Sequence, residues 1–379
     1  MKWVRLGEIL SLEYGDSLPE YKRITGKYPI MGSNGVVGYH NTFLIRSPAI
    51  IVGRKGSAGK VNYMDQDCYP IDTTYFVQLK IECSLKFIYY VLTNLQLEYL
   101  KTGGGVPGLN REHVYQILIP LPPLKEQRVI ATFLDHKCAK IAACITKKTR
   151  MLALLKEYKQ ALISKITTKG LNPQEHFKPS AVAWLGDIPG HWKVARLKET
   201  LIYEQPARYL VKSTAYKPGY KTPVLTAGKT FILGYTDETE GIYPSTKDNP
   251  VIIFDDFTTT YRWVDFPFKV KSSAIKILKE KTESVDLKFV YYAMRCIVFK
   301  PSDHMRHWIT RYSMFKIPLP PLKEQHAIAA FLDHKLAKLD TLIIKLQTQI
   351  QGLKDYKSAL ISEAVLGQIP LKAKHAKMQ

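Results

Sequence analysis

Along the second half of the chain, apolar residues recur at alternating steps of four and three. They run through Leu332, Leu336, Leu339, Ile343, Leu346, Ile350, Leu353, Leu360 and Ala364, with one break at Lys357. This is the seam of a coiled coil, because a four and a three together keep one stripe facing a partner helix. The same register runs through Leu134, Cys138, Ile141, Ile145, Leu152, Leu155, Leu162 and Ile166, broken at Lys148 and Lys159. Each stripe opens on a double proline, Pro122-Pro123 and Pro320-Pro321. Proline suits the first turn of a helix, where its missing N–H would have no acceptor anyway. The first run meets no further proline or glycine until Gly170, and the second meets only Gly352 before Gly367. Roughly 45 residues at 1.5 Å each make a rod about 65 Å long, far beyond the average globular helix. Two matching stripes predict rods packed on each other, antiparallel if closed two-fold symmetry relates them. A parallel pair, or a seam between two chains, is the alternative.

The rods are copies. Residues 119–127 and 317–325 both read IPLPPLKEQ, and an ungapped offset of 198 gives 28 identities over the 46 positions 119–164, FLDHK and ALIS included. A period near 200 is too long for a solenoid and predicts two whole units, each with its own core. Ahead of each rod, short apolar runs punctuated by glycine predict a β-rich head. The heads share a strand plan: PIMGSNGVVGYHNT answers PVLTAGKTFILGYTDET, SPAIIVGRKGSAGKVNY answers NPVIIFDDFTTTYRWVDF, and KFIYYVL answers KFVYYAM. Their loops do not match, which is how a constant frame presents two specificities. Trp3 and Trp192 mark the start of each head on this reading. The class is α+β with a pseudo-two-fold internal repeat: heads at 1–118 and 173–316, rods at 119–172 and 317–379.

Composition changes the picture mainly through charge. The 379 residues carry 55 Lys+Arg against 33 Asp+Glu, a net charge of +22, and 46% hydrophobic content is enough for ordinary cores. Such an excess attracts polyanions, of which DNA and RNA are the commonest. No run approaches the roughly 18 apolar residues that span a bilayer, and the start of the chain has no signal-peptide pattern. Five cysteines, an odd number without CxxC, indicate neither a disulfide framework nor a zinc cluster and fit a reducing cytoplasm.

Candidate nucleic-acid contacts fall in the loops. Gly53 to Lys60 form a turn dense in backbone donors and cations, with Arg54, Lys55, Ser57 and Lys60 placed to meet phosphates, or guanine through Arg54. The spacing is wrong for a P-loop, since five residues separate Gly53 from Gly59-Lys60 and Val61 follows. Ser33, Asn34 and Lys229 stand in the matching earlier turns, and Thr258, Thr259, Thr260, Tyr261 and Arg262 in the second head's counterpart loop. Asn110, Arg111, Arg306, His307 and Arg311 lie just before the rods. Paired Asp255 and Asp256 invite a metal-nuclease reading, but no lysine is found at suitable spacing within the same strand pair. Capping the turn, or accepting from a cytosine amino group, is the better expectation. His304 and His307 lack further ligands nearby, so no metal site is expected. GGGVPG at 103–108 reads as a loop rather than a dinucleotide motif. No catalytic motif is found, so catalytic residues are expected to be none.

Two divergent heads, each followed by a helix carrying IPLPPLKEQ, FLDHK and ALIS, resemble the specificity subunit of bacterial type I restriction-modification systems. GRKGS, VIIFDDFTTTYRWVDFPFKV and the set Ile188, Pro189, His191 and Trp192 add to the resemblance, which covers almost the whole chain. It implies that each head is a target recognition domain reading one half of a split, asymmetric double-stranded DNA sequence. The rods, as an antiparallel stalk, would set the gap between the halves. It further implies two docked modification subunits that methylate adenine at N6 with S-adenosylmethionine, and two ATP-dependent, Mg-requiring restriction subunits. The chain itself would then hold no cofactor, catalyse nothing and act in the cytoplasm. The alternatives are a stand-alone DNA-binding regulator or a fused DNA methyltransferase or nuclease. Two departures stand out: the first head begins without the lead that precedes Trp192, and Lys148 sits on the seam.

Overall fold

The computed structural model describes residues 2–102, 108–228, 230–301, 303 and 305–371. The chain divides into two compact units, one comprising Met1–Arg150 with Gln347–Gln379 and the other Met151–Leu346. In the first unit β1 (Lys2–Arg5), α1 (Leu6–Ile9), β2 (Leu10–Tyr14), β3 (Tyr28–Gly32), β4 (Gly35–His40), β5 (Ala49–Gly53) and β6 (Val61–Met64) come first. Then follow β7 (Tyr69–Pro70), β8 (Thr74–Leu79), α2 (Leu85–Asn94), β9 (Lys101–Thr102), β10 (Gly108–Leu109), α3 (Arg111–Tyr115), β11 (Leu118–Leu121) and α4 (Leu124–Lys169). The second unit takes over within α4 at Met151 and continues with β12 (Phe177–Pro179), β13 (Asp187–Pro189), β14 (Lys193–Arg196), α5 (Leu197–Thr200), β15 (Leu201–Glu204), β16 (Thr222–Leu225), β17 (Ile232–Thr236) and β18 (Val251–Asp255). It closes with β19 (Tyr261–Val264), β20 (Lys269–Val270), β21 (Ile275–Glu280), α6 (Leu287–Met294), α7 (His307–Thr310), β22 (Lys316–Leu319) and the part of α8 (Leu322–Val365) up to Leu346.

Both heads are built the same way. A four-stranded sheet runs β2-β8-β5-β6 in one and β15-β21-β18-β19 in the other, and a three-stranded sheet runs β4-β3-β7 or β17-β16-β20. The central strands β5 and β18 read as unbroken apolar runs because both of their faces are covered. Ile50 and Val52 join the core shared with α2 and the rods, while Ala49 and Ile51 pack with Met31, Met64 and Cys68 on the other side. In the second head Ile252 and Phe254 face α6, and Val251 and Ile253 face Leu225 and Val270.

The rods pair antiparallel within each unit. In the first, Leu134, Cys138 and Ile141 share a core with Leu360, Ile361 and Ala364, and Lys148 Nζ donates to Gln349 Oε1 at 2.8 Å. In the second, Ile163 and Ile166 pack with Leu332 and Leu336, and Lys159 Nζ meets Asp340 Oδ1 at 2.5 Å. Numbers rise along α4 as they fall along α8, which excludes the parallel register inside either unit. The two seam breaks in the first rod are therefore answered by acceptors on α8, with each lysine stem lying along the stripe and its head reaching a polar partner.

The repeated motif acquires a physical reason at the joint between head and rod. Gln127 is buried, its Nε2 donating to Pro122 O at 2.9 Å and its Oε1 accepting from Ser84 N at 2.9 Å. Ser84 is the N-cap of α2. Gln325 does the same, donating to Pro320 O at 2.8 Å and Ser284 O at 3.1 Å and accepting from Asp286 N, the N-cap of α6, at 2.8 Å. About two turns further on, the Asp of FLDHK repeats the tie: the Tyr90 hydroxyl donates to Asp135 at 2.6 Å and that of Tyr292 to Asp333. Burial first, and the carboxylate next, push both phenols up, so each remains a neutral donor.

One expected match is corrected. Trp3 pairs with Pro120 as Val194 pairs with Pro318, so Trp3 is the counterpart of Val194 and not of Trp192. The shared aromatic misleads, whereas KWVRL against KVARL gives the true register. Trp192 is buried against Gly170, whose φ of +75° ends α4, and its indole N–H donates to Glu324 at 2.9 Å, while Trp3 is exposed.

Replacing Gln325 by Leu strands the Asp286 N–H and the Pro320 and Ser284 carbonyls. The expected loss is about 1–3 kcal/mol for the second unit, read as a lower urea midpoint by tryptophan fluorescence.

Candidate nucleic-acid interface

In the first head three segments converge at one end of the four-stranded sheet. The loop after β5 closes on itself: Gly53 N donates to Lys60 O and Gly59 N to Gly53 O, both at 2.8 Å. A Cβ at Gly53 would stand 2.3 Å from Ser57 O and 2.9 Å from Ser33 O, so only glycine permits this approach to the β3–β4 turn. Lys60 Nζ donates to Asn34 O at 2.7 Å and Asn34 Oδ1 at 2.9 Å. Ser33, Asn34, Ser57 and Lys60 are thus brought together, with Lys60 already engaged. Lys55 bridges to Gly108, and Leu109 N donates to Arg54 O at 2.9 Å, which draws in the segment before α3. Asn110 caps α3, its Oδ1 accepting from Glu112 N at 2.9 Å.

Beside this convergence lies a group in which sequence reasoning named the cations and missed the ring. The Arg54 and Arg111 guanidinium carbons lie 5.0 and 4.9 Å from the centroid of the Tyr14 ring, which is 49% exposed. Arg111 also donates to Leu12 O at 3.2 Å and stands 3.6 Å from the Glu112 carboxylate. Arg54 Nε is buried with no hydrogen-bond partner. Tyr75 lies 5.2 Å from Tyr14, ring to ring, and its hydroxyl donates to Leu109 O at 3.2 Å. Burial, then its neighbour Tyr14, raises that phenol to about 12, so it stays protonated. The signal for Tyr14 was its place as the last residue of a strand whose inward positions are leucines.

The second head carries different chemistry on the same frame. Asp255 Oδ1 accepts from Phe257 N at 3.0 Å and Thr258 N at 2.8 Å, so it caps the turn. The Thr258 and Thr260 hydroxyls meet at 2.7 Å, and Thr259, buried, takes a φ of +54°. Asp256 is not free to meet a base. It and Lys276 are each 1% exposed, Oδ2 to Nζ is 3.5 Å, and its other oxygen accepts from Trp308 N at 2.7 Å. Lys276 also donates to Gln205 Oε1 at 3.1 Å. A lysine does stand across the strand pair, contrary to expectation: β18 and β21 set Phe254 opposite Lys276. Its sealing inside an ion pair makes the pair structural. The sign was an unexplained lysine in the otherwise buried start of IKILKE.

The remaining candidates scatter. Arg262 Nη2 donates to Gly228 O at 3.0 Å, joining β19 to the β16–β17 turn. Tyr261 is packed against Tyr291, its phenol raised mainly by burial. Arg306 precedes α7 and is exposed. Arg311 lies 3.4 Å from the Asp303 carboxylate. His307 is buried, 3.3 Å from Asp303 and 5.4 Å ring to ring from Phe299, which removes it from any exposed face. Lys229, His304 and residues 103–107 of the glycine-rich stretch lie outside the described residues.

Strand registers make the heads comparable position by position. Val52 stands opposite Tyr75 as Phe254 stands opposite Lys276, so Arg54 occupies the place of Asp256 and Tyr75 that of Lys276. The backbone agrees: Leu109 N donates to Arg54 O, and His307 N to Asp256 O at 2.9 Å. One frame position therefore carries a cation near the surface in one head and a sealed anion in the other.

The sequence profile of the type I restriction modification DNA specificity domain matches residues 1–150 and 189–351, most of the chain and both heads. The chain belongs to that family. The EcoR124I/EcoR124II specificity subunit of Escherichia coli is 46% identical over 176 residues, 44% of this chain, and the match spans less than half of that relative, 43%. The MjaVIII specificity subunit of Methanocaldococcus jannaschii is 26% identical over 76% of this chain and 70% of its own. A chain of a solved type I R-M system, studied for complex assembly and conformational transition, shares the fold with a TM-score of 0.66 at 15% identity, over 97% of this chain and 98% of that one. Among the described residues no helix is long and apolar enough to cross a membrane.

Asp256→Ala leaves Lys276 buried without its carboxylate. The expected loss is about 3–5 kcal/mol in urea unfolding, the part due to the stranded lysine recovered by adding Lys276→Met and the part due to the Trp308 N–H, left without its acceptor, retained.

Proposed function

We propose that the chain is the DNA-sequence-specificity subunit of a type I restriction-modification assembly, each head reading one half of a split target. The observation that carries this is the contrast between the heads: the same sheets, the same joint to the rods, and unlike chemistry at equivalent loop positions. Family membership and a net charge of +22 support it. Lysines and arginines on both heads release counterions from phosphates and supply sequence-independent affinity, while side chains in the groove add roughly 1–3 kcal/mol for each well-made base contact. Tying two weak readers to one chain raises the effective concentration of the second at its half-site, so both halves are needed for tight binding.

The rods fix the number of base pairs between the halves and offer the surface on which two modification subunits dock. S-adenosylmethionine, with transfer to adenine N6, belongs to those subunits, as ATP and Mg belong to two restriction subunits. Extrusion of the target adenine falls to the methyltransferase. The chain contributes address rather than chemistry, and it works in the cytoplasm.

Co-expression with the adenine methyltransferase subunit it is proposed to serve, followed by single-molecule mapping of N6-methyladenine, is expected to give one two-part motif with a fixed gap. Removing one heptad from each rod is expected to change that gap and leave both half-sequences intact. An unchanged gap sinks the spacing role. Methyl transfer to DNA by the chain alone would instead favour a fused enzyme.

A further inference from the structure

We infer that Arg54 is the base-reading residue of the first head, that the base it reads is guanine, and that Tyr14 is the positioning residue that holds it. The inference rests on the reading of the chain as a DNA-specificity subunit and assigns that reading to particular atoms.

The loop that carries Arg54 looks, by composition, like a phosphate cradle. Its backbone argues otherwise. The N–H groups of Gly53, Arg54, Lys55 and Gly59 donate to Lys60 O, Thr73 O, Thr73 O and Gly53 O, so most of the donors a phosphate would use are taken. Lys60 is occupied by Asn34. What the loop offers outward is a side chain. Arg54 is only half-buried, no carboxylate pairs with it among the described residues, and its guanidinium lies over a ring that is itself half exposed. A guanidinium stacked on an aromatic face loses little further freedom when it forms its two parallel hydrogen bonds, and that planar fork matches guanine O6 and N7.

The second head strengthens the choice of base over phosphate. Contacts to the DNA backbone are the same whatever the sequence, so two heads on one frame have no cause to differ there. They differ at this position by a reversal of charge, Arg54 against Asp256. In the second head the place is closed by Lys276 and Trp308, so only the first head presents a reader here.

The test uses the complex with the methyltransferase subunit and the methylated motif as readout; exchanging residues 1–118 for another head identifies which half belongs to the first head. Arg54→Ala and Arg54→Lys are expected to make one G·C position of that half degenerate, with roughly 10- to 100-fold loss of preference there, and to leave the other half unchanged. Lysine keeps the charge and loses the fork, so it separates base reading from general attraction and guards against a misfolded alanine variant. Tyr14→Ala is expected to loosen the same position more weakly, and Tyr14→Phe, which keeps the ring, to leave it intact. Uniformly weaker methylation with an intact motif makes Arg54 a phosphate contact and overturns the inference, as does relaxation at an A·T pair or in the other half. If the unaltered complex gives no two-part motif, the specificity reading itself fails, and the role of Arg54 with it.

Discussion

The structure depends on a glutamine that is buried where a rod begins. Gln127 and Gln325 each bind the proline carbonyl at the start of their own helix and the backbone that starts a head helix. A buried side-chain amide cannot leave its donors and acceptor unmet without cost, so its geometry dictates the angle between the two helices. The aspartate of FLDHK then fixes a second point one head-helix face away, through Tyr90 or Tyr292. Two polar ties and the apolar core around them leave each head a single orientation on its rod. This explains why the repeat is nearly letter-perfect at its opening and loosens further along, where only the seam must be kept.

Above that joint the frame is permissive. The central strands are apolar on both faces in either head, and the two sheets keep one strand order. At the far end of the sheet the same frame supports an arginine over an exposed tyrosine in one copy and a sealed lysine–aspartate pair in the other. At position 54 or 256 itself the backbone is held alike, because the neighbouring segment donates to the same carbonyl in both. Recognition can diverge there while the fold stays constant.

Much of this was legible in the residues. The rods follow from periodicity and from a repeat at constant offset, both of which packing enforces; the shared strand plan was read from matching segments, and the antiparallel pairing from symmetry, with a parallel pair left open until the contacts along α4 and α8 decided it. The loops were legible only as neighbourhoods. Asn110 and Asp255 spend their oxygens on backbone N–H groups, Lys60 is held by Asn34, and His307 and Asp256 are buried, none of which residue type reveals. Tyr14 and Lys276 escaped notice for a related reason. Each matters through a partner dozens of residues away, brought close by strand register, and register is set by tertiary pairing rather than by local pattern.

The sealed pair in the second head carries a consequence for how such chains diverge. A lone charge at either position 256 or 276 has nowhere to go, so neither residue can drift without the other, and the route between alternatives passes through a double change or an apolar replacement of both. Position 54 is under no such bond: its guanidinium lies over the Tyr14 ring, and no carboxylate pairs with it among the described residues. A change at position 54 therefore strands no buried charge, while a change at 256 or 276 alone does.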